Sequence, residues 1–367
     1  MVKVGTRLLL GDGPSPDPER LRTFASVVAE NRAVPTVIVS SGAVALGYRL
    51  LGMPHPPRTV RERQAAAAVG QARLIQAWGA AFRGWGMEAG QLLLANEVMA
   101  DRTRYLNARR ALSVLLEAGI VPVVTENDSV VVDEVRVGDN DNLAAYTAAL
   151  VDADLLVLLT DVAGVFDGRP GVDSGARLIP WARTADELRP LCYRKTSRES
   201  VGGMATKLDA ASRAGRWGIP TVITGGLNGE GLRSAYLGRP HGTRIGGCGD
   251  TVPQARRRWM LMQARVPGRV VVDAGAAAAL SRGGTSLLAC GIVQVHGRFR
   301  AGEVISIVDP AGTERARGIV AFHDRELERI KGRQSGEIEG VLGARTSEVV
   351  VRADKMVIIH PAGVGAE

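Results

Sequence analysis

The sequence predicts an α/β protein built on a parallel sheet with helices on both faces, followed by a small β-rich, barrel-like module. Three observations carry this. From residue 1 to about 255, short β-branched runs alternate with longer helical stretches. Those runs are almost wholly apolar, as strands buried on both faces must be. After Arg256 the alternation stops and short strands punctuated by glycine take over. With 367 residues against the ~150 of a typical domain, two domains are expected.

After an opening strand around Lys3, the strand-like runs are Val34–Ser40, Gln91–Ala95, Ile120–Thr125, Leu155–Thr160 and Ile219–Thr224. Between them lie helical patterns at Pro18–Glu30, Val60–Arg83, Thr103–Ala118, Asn142–Val151 and Ala205–Trp217. A helix between two strands carries the chain back over the sheet, so the strands it joins run parallel. Val130–Val137 alternates with a period of two and reads as a hairpin off the sheet. Residues 1–255 form the first expected domain, 256–267 a linker and 268–346 the second domain. In the second, Val270–Asp273, Gly291–His296, Val304–Val308 and Gly318–Phe322 read as strands, and Ala276–Arg282, Asp324–Gly332 and Ser335–Leu342 as helices. The tail, 347–367, offers Glu348–Val351 and Met356–His360 to close that module.

Apolar residues make up 46% and charged residues 23%, ordinary values that exclude disorder, collagen and coiled coil. No stretch supplies the ~18 uncharged apolar residues of a membrane span; Ala144–Leu159 is broken by Asp152 and Asp154. Met1-Val2-Lys3 runs straight into a strand-like pattern rather than a secretory leader. Cys192, Cys248 and Cys290 are odd in number and far apart, which argues against disulfides or a zinc site. A cytoplasmic protein is expected. The net charge is +8, but residues 268–367 carry only +1, so the excess lies in the first part, including Arg256–Arg258.

Only five of the 46 basic residues are lysines: Lys3, Lys195, Lys207, Lys331 and Lys355. Where arginine serves as the generic cation, a remaining lysine marks a place needing a compact charge on a flexible stem. Lys3 ends a buried strand, a costly position without an anionic partner. Lys207 lies in the first turn of a helix entered through Gly202-Gly203-Met204-Ala205-Thr206, where an ammonium opposes the helix dipole unless an anion is bound.

Glycine turns follow strands at Lys3-Val4-Gly5-Thr6, Ser40-Ser41-Gly42-Ala43 and Thr224-Gly225-Gly226, an arrangement that suits phosphate but that also simply ends strands. Thr160-Asp161 ends a further strand where a ligand-facing loop begins. Glu126-Asn127-Asp128 and Gly138-Asp139-Asn140-Asp141-Asn142 crowd acceptors at the opening of a helix, where one N-cap would suffice. Such a cluster suits a cation or an ammonium group. The five histidines form no hydrolase or zinc motif. Lysines and glycine turns around a polyphosphate, with carboxylates orienting them, compose a phosphoryl-transfer site.

With KVGT (Lys3–Thr6), SSGA (Ser40–Ala43), AAVGQARLIQAW (Ala67–Trp78), DRTRYLNAR (Asp101–Arg109), ENDSV (Glu126–Val130), VGDNDNLAA (Val137–Ala145), LLTD (Leu158–Asp161) and GGMATK (Gly202–Lys207), the chain resembles the amino-acid kinase family, in its glutamate-phosphorylating branch. VDAGAAAAL (Val272–Leu280) and GTSLLACGI (Gly284–Ile292) resemble the PUA module appended to many such kinases. Two departures stand out: Arg7 replaces a small hydroxyl residue, and Ser200-Val201 replaces a Gly-Thr pair.

The resemblance implies a three-layer α/β/α domain that moves the γ-phosphoryl group of ATP, with Mg²⁺, to the side-chain carboxylate of L-glutamate, opening proline biosynthesis. It implies Lys3 and Lys207 as catalytic cations oriented by Asp141, with Asp139 near the metal. Ser41, Asp128 and Asn140 would bind glutamate. Lys3, Gly5, Gly42, Thr160, Asp161, Val201, Gly202, Gly203, Met204, Ala205, Thr206 and Lys207 would bind ATP. L-proline as feedback inhibitor, a glutamyl phosphate reductase and a homo-oligomer are the further implied partners. Alternatives are a kinase of acetylglutamate, aspartate or carbamate, or a protein binding RNA through the PUA-like module, whose near-neutral charge argues against RNA as the main partner.

Overall fold

Alternation along the first strand decides which side of the sheet becomes chemical. In β1 (Val2–Val4), Val2 and Val4 enter an apolar core, so Lys3 must point to the opposite face. The computed structural model describes residues 1–11, 13, 15–95, 101–129, 140–168, 170, 172–192, 203–246, 260, 266–343, 347 and 349–359. The hairpin expected at Val130–Val137 and the run Arg256–Arg258 lie outside them. The chain divides into two compact units, Met1–Val252 and Pro253–Glu367.

In the first unit β1 is joined by β2 (Ile38–Ser40), β3 (Ala89–Leu94), β4 (Val121–Glu126), β5 (Leu156–Thr160), β6 (Trp181–Ala182), β7 (Thr221–Gly225) and β8 (Thr243–Ile245). They form one sheet in the order β3-β4-β2-β1-β5-β7-β8-β6. Lys3 stands opposite Val39 of β2 and Leu158 of β5, and both pairings are parallel. The sheet departs from the all-parallel expectation at one place: β8 runs antiparallel to β7. Three residues are too few to show a period, and an antiparallel strand near the edge of a parallel sheet is a common addition.

One face of the sheet is covered by the helices Pro18–Glu30 and Val60–Arg83, whose Phe24, Leu74, Trp78 and Phe82 are buried against Val2, Val4, Ile38 and Val123. Their starts follow from local chemistry. Asp17 caps the first, with Pro18 at its first position; Thr59 and Glu62 form a capping box at the second. The helices Asn140–Leu150 and Met204–Arg216 pack against each other and against β1 and β5 on the other side. This is the three-layer α/β/α arrangement. The short helix Ala43–Leu50 follows β2 and crosses the Val60–Arg83 helix backbone to backbone. A Cβ added at Gly70 would lie 1.8 Å from the Ala43 carbonyl oxygen, and one at Gly47 1.6 Å from that of Ala66.

In the second unit β9 (Gly268–Val272), β10 (Ile292–Gly297), β11 (Val304–Val308), β12 (Glu314–Ile319) and β13 (Met356–Ile358) form a separate sheet in the order β10-β9-β11-β12-β13. It has its own core, with Val270, Ile305, Ile307 and Phe322 buried. β12 starts and ends earlier than the Gly318–Phe322 expected. Gly318 lies inside the strand because Val351 Cγ1 would sit 2.3 Å from a Cβ there, so this glycine marks a close approach and not a strand end. Among the described residues, no helix is long and apolar enough to cross a membrane.

The crossing of the two helices yields a direct test. Gly70→Ala forces a methyl group into backbone and should destabilise the first unit by about 2 kcal/mol or more, read as a lower urea midpoint. An unchanged midpoint would mean the helices do not touch.

Candidate active site

β1 has β2 on one side and β5 on the other, so the direction of strand addition reverses there. A doubly wound sheet opens a crevice at the carboxyl ends of the strands at such a point. A cavity of about 1080 Å³ occupies it, lined by the segments that leave β1, β2, β4 and β5. Each strand ends in a residue type that the crevice can use.

Asp141 lies at its centre. It is the second residue of the Asn140–Leu150 helix, whose exposed N–H groups favour a carboxylate. Lys3 Nζ lies 2.6 Å from Asp141 Oδ1, and Lys207 Nζ lies 3.2 Å from Asp141 Oδ2. Thr206 Oγ1 also donates to Oδ2, at 2.8 Å. All three charges are buried: Lys3 is 5%, Asp141 2% and Lys207 6% exposed. Burial alone would push the Asp141 carboxyl up, but Lys3 and Lys207 reverse this and hold it below the ordinary carboxylate value. The cluster carries one positive charge in excess, beside a cavity that can admit an anion. Two lysines more than two hundred residues apart thus meet over one carboxylate.

The other expected residues arrange around this triad. Ser41, Gly42 and Gly5 line the cavity beneath it. Gly42 takes φ +113°, a region side chains avoid, and a Cβ there would meet Leu9 Cδ2 at 2.8 Å. At Gly5 the nearest neighbour of an added Cβ is Lys3 Nζ, at 3.8 Å, so the bare backbone leaves the ammonium approachable. Thr160 and Asp161 leave β5 into the cavity, as do Gly203, Met204 and Lys207 at the start of their helix. Ala205 and Thr206 belong to that helix but do not line the cavity; Thr206 acts on Asp141 instead. Val201, Gly202 and Asp139 lie outside the described residues. Asn140 and Asp128 line the cavity, and Asn140 Oδ1 is buried with no hydrogen-bond partner among the described residues. Burial pushes the Asp128 carboxyl up to about 6, opposed in part by the charge of Arg63.

Three residues near the site carried no expected role. Gln71 is buried, donates to the Glu126 carbonyl oxygen (3.0 Å) and accepts from Thr125 (2.9 Å), pinning the long helix to the end of β4. Arg7 pairs with Asp161 at 3.4 Å, on a surface where such a pair is worth little. Arg63 lines the cavity near Asp128. Helical spacing could have found it, because Arg63 and Gly70 are seven residues apart and share the face turned to the Ala43–Leu50 helix.

Residues 1–225 match the amino acid kinase family and residues 268–342 the PUA domain. Relatives described as glutamate 5-kinase span nearly the whole chain. That of Citrifermentans bemidjiense is 42% identical over 98% of this chain and 97% of its own. That of Moorella thermoacetica is 41% identical over 98% and 96%, and that of Shewanella amazonensis 41% over 99% and 96%.

Proposed function

The chain belongs to the amino acid kinase family, in its glutamate 5-kinase branch, and we propose that Lys3, Lys207 and Asp141 carry its transfer of a phosphoryl group from ATP to L-glutamate. The reaction converts the side-chain carboxylate to L-glutamyl 5-phosphate, the first step of L-proline biosynthesis. A side-chain carboxylate oxygen attacks the γ-phosphorus, and the bond from that phosphorus to the bridging oxygen of ADP breaks. The observation that carries the assignment is the pair of buried ammonium groups sharing one carboxylate.

Phosphoryl transfer asks the protein for position and charge rather than covalent help. Asp141 holds the two ammonium groups at fixed points, so they need no reorganisation as charge spreads over the transferring oxygens. Thr206 holds Asp141 in turn. The nucleotide subsite comprises Lys3, Gly5, Gly42, Thr160, Asp161 and the segment from Val201 to Lys207, with Gly5 and Gly42 letting phosphates near the backbone. Ser41, Asp128 and Asn140 form the glutamate subsite. An ammonium donor there gives the buried Asn140 oxygen its missing partner and Asp128 a counter-charge.

Kinases of this family use ATP, with Mg²⁺ the typical metal. Among the described residues, no group of three or more His, Cys, Asp or Glu side chains could hold a metal ion. Mg²⁺ would be held by phosphate oxygens, as that ion prefers, with Asp139 a further candidate ligand, and would supply neutralising charge. The proposal extends to a cytoplasmic homo-oligomer, inhibited by L-proline at the glutamate subsite, whose labile acyl phosphate passes to a reductase. The experiment that tests the substrate is ADP release with L-glutamate, L-aspartate and N-acetyl-L-glutamate, with and without L-proline. Turnover with either of the last two amino acids and none with L-glutamate would reject the reading.

Lys207→Ala removes a charge used in the transition state and should lower kcat on the order of 10²-fold or more. A wild-type kcat would take Lys207 out of the site. A pH profile tests Asp128. Its carboxyl, raised to about 6 in the free cavity, is charged above that pH and loses its charge below it. Hence kcat/KM for L-glutamate should fall about tenfold per pH unit below pH 6, since that ratio reports free-enzyme groups. Asp128→Asn should show a low value without this acidic limb; an unchanged limb would assign it to another group.

A further inference from the structure

The charged groups of the cavity pair off internally, except two. Lys3 and Lys207 share Asp141, and Arg7 meets Asp161. Asp167 accepts from the Arg177 N–H at 2.7 Å, and Glu126 and Asp173 are engaged within the protein. Arg63 and Asp128 remain. Both line the cavity, and neither makes a hydrogen bond or an ion pair among the described residues. They are near enough for the charge of Arg63 to act on Asp128, yet they do not touch.

Two opposite charges that line one cavity without pairing there suit the two ends of a zwitterion. We infer that Arg63 binds the α-carboxylate of the amino-acid substrate while Asp128 binds its α-ammonium. The inference rests on the glutamate reading and adds to it the residue that selects a free α-carboxylate. Arg63 closes the first turn of the Val60–Arg83 helix, on the face that carries Gly70. At Gly70 the helix presses on the Ala43 carbonyl, and at Gln71 it is bonded to the end of β4, two residues before Asp128. These contacts fix the helix backbone that carries the arginine relative to the end of β4. A guanidinium suits this task because its planar fork meets a carboxylate with two parallel N–H donors. With the α-groups so held, the side-chain carboxylate is the end left free for Lys3 and Lys207. An amino acid whose α-carboxylate is masked leaves the guanidinium unmatched and should be rejected.

The test compares L-glutamate with L-glutamic acid α-amide, which keeps the side-chain carboxylate and the ammonium but lacks the α-carboxylate charge. Wild-type protein should show a KM for the α-amide about 10- to 100-fold above that for L-glutamate, the range of a charge-assisted hydrogen bond. Arg63→Ala should raise the KM for L-glutamate to about that level, leave the KM for the α-amide unchanged and so abolish the discrimination. Its kcat and KM for ATP should stay within about twofold of wild type, because the removed contact is equally strong in ground and transition states. Arg63→Lys should restore part of the discrimination, and carries the comparison if the alanine variant folds poorly. Equal discrimination in wild type and variants overturns the inference, as does a parallel rise in the KM for ATP, which would mark a structural role. Wild-type protein with no turnover on L-glutamate would instead overturn the substrate reading itself.

Discussion

A buried carboxylate shared by two lysines is the constraint on which this protein depends. Three charges removed from water are tolerated only when each has a partner, and Asp141 gives one oxygen to each ammonium. The balance stays incomplete by one positive charge, in a cavity that admits a ligand. The cluster is therefore stable enough to be held without substrate and unsatisfied enough to bind an anion. Everything around it serves that position. β1 brings Lys3 from the sheet, one helix N-terminus brings Asp141 and another brings Lys207.

The sheet explains why these three meet. Strands that run parallel end on the same side, and the reversal of strand order at β1 opens a crevice there. Glycines then act where bulk would close it. Gly42 adopts a backbone that a side chain would strain, and a Cβ at Gly5 would lie 3.8 Å from the Lys3 ammonium. On the other side of the crevice, the contact between Gly47 and Gly70 brings the long helix close enough for Gln71 to reach β4. Packing that looks remote from the buried triad thus positions one wall of the cavity.

Much of this was legible in the residues. The helices Pro18–Glu30 and Val60–Arg83 carry N-terminal caps whose chemistry is local, so their starts could be read directly. Lys3 and Lys207 stood out because lysine is scarce, and the crowded acceptors around Asp141 had no structural explanation. What stayed hidden depends on contacts between distant segments. β8 is three residues long and owes its existence to β7 and β6. Gly318 read as the start of a strand because its partner, Val351, lies thirty-three residues on. Arg63 does not stand out by type, because most cations in this chain are arginines; only its spacing from Gly70 along the helix could have singled it out. The roles of Val201, Gly202 and Asp139 rest on resemblance to the family.

The most direct measurement is a crystal structure with ADP, aluminium fluoride and L-glutamate, which mimics the phosphoryl group in flight. The account predicts the Nζ atoms of Lys3 and Lys207 both within about 3.2 Å of the fluoride group, each still in contact with Asp141. Either ammonium left beyond hydrogen-bond reach, more than about 4 Å away, would contradict it.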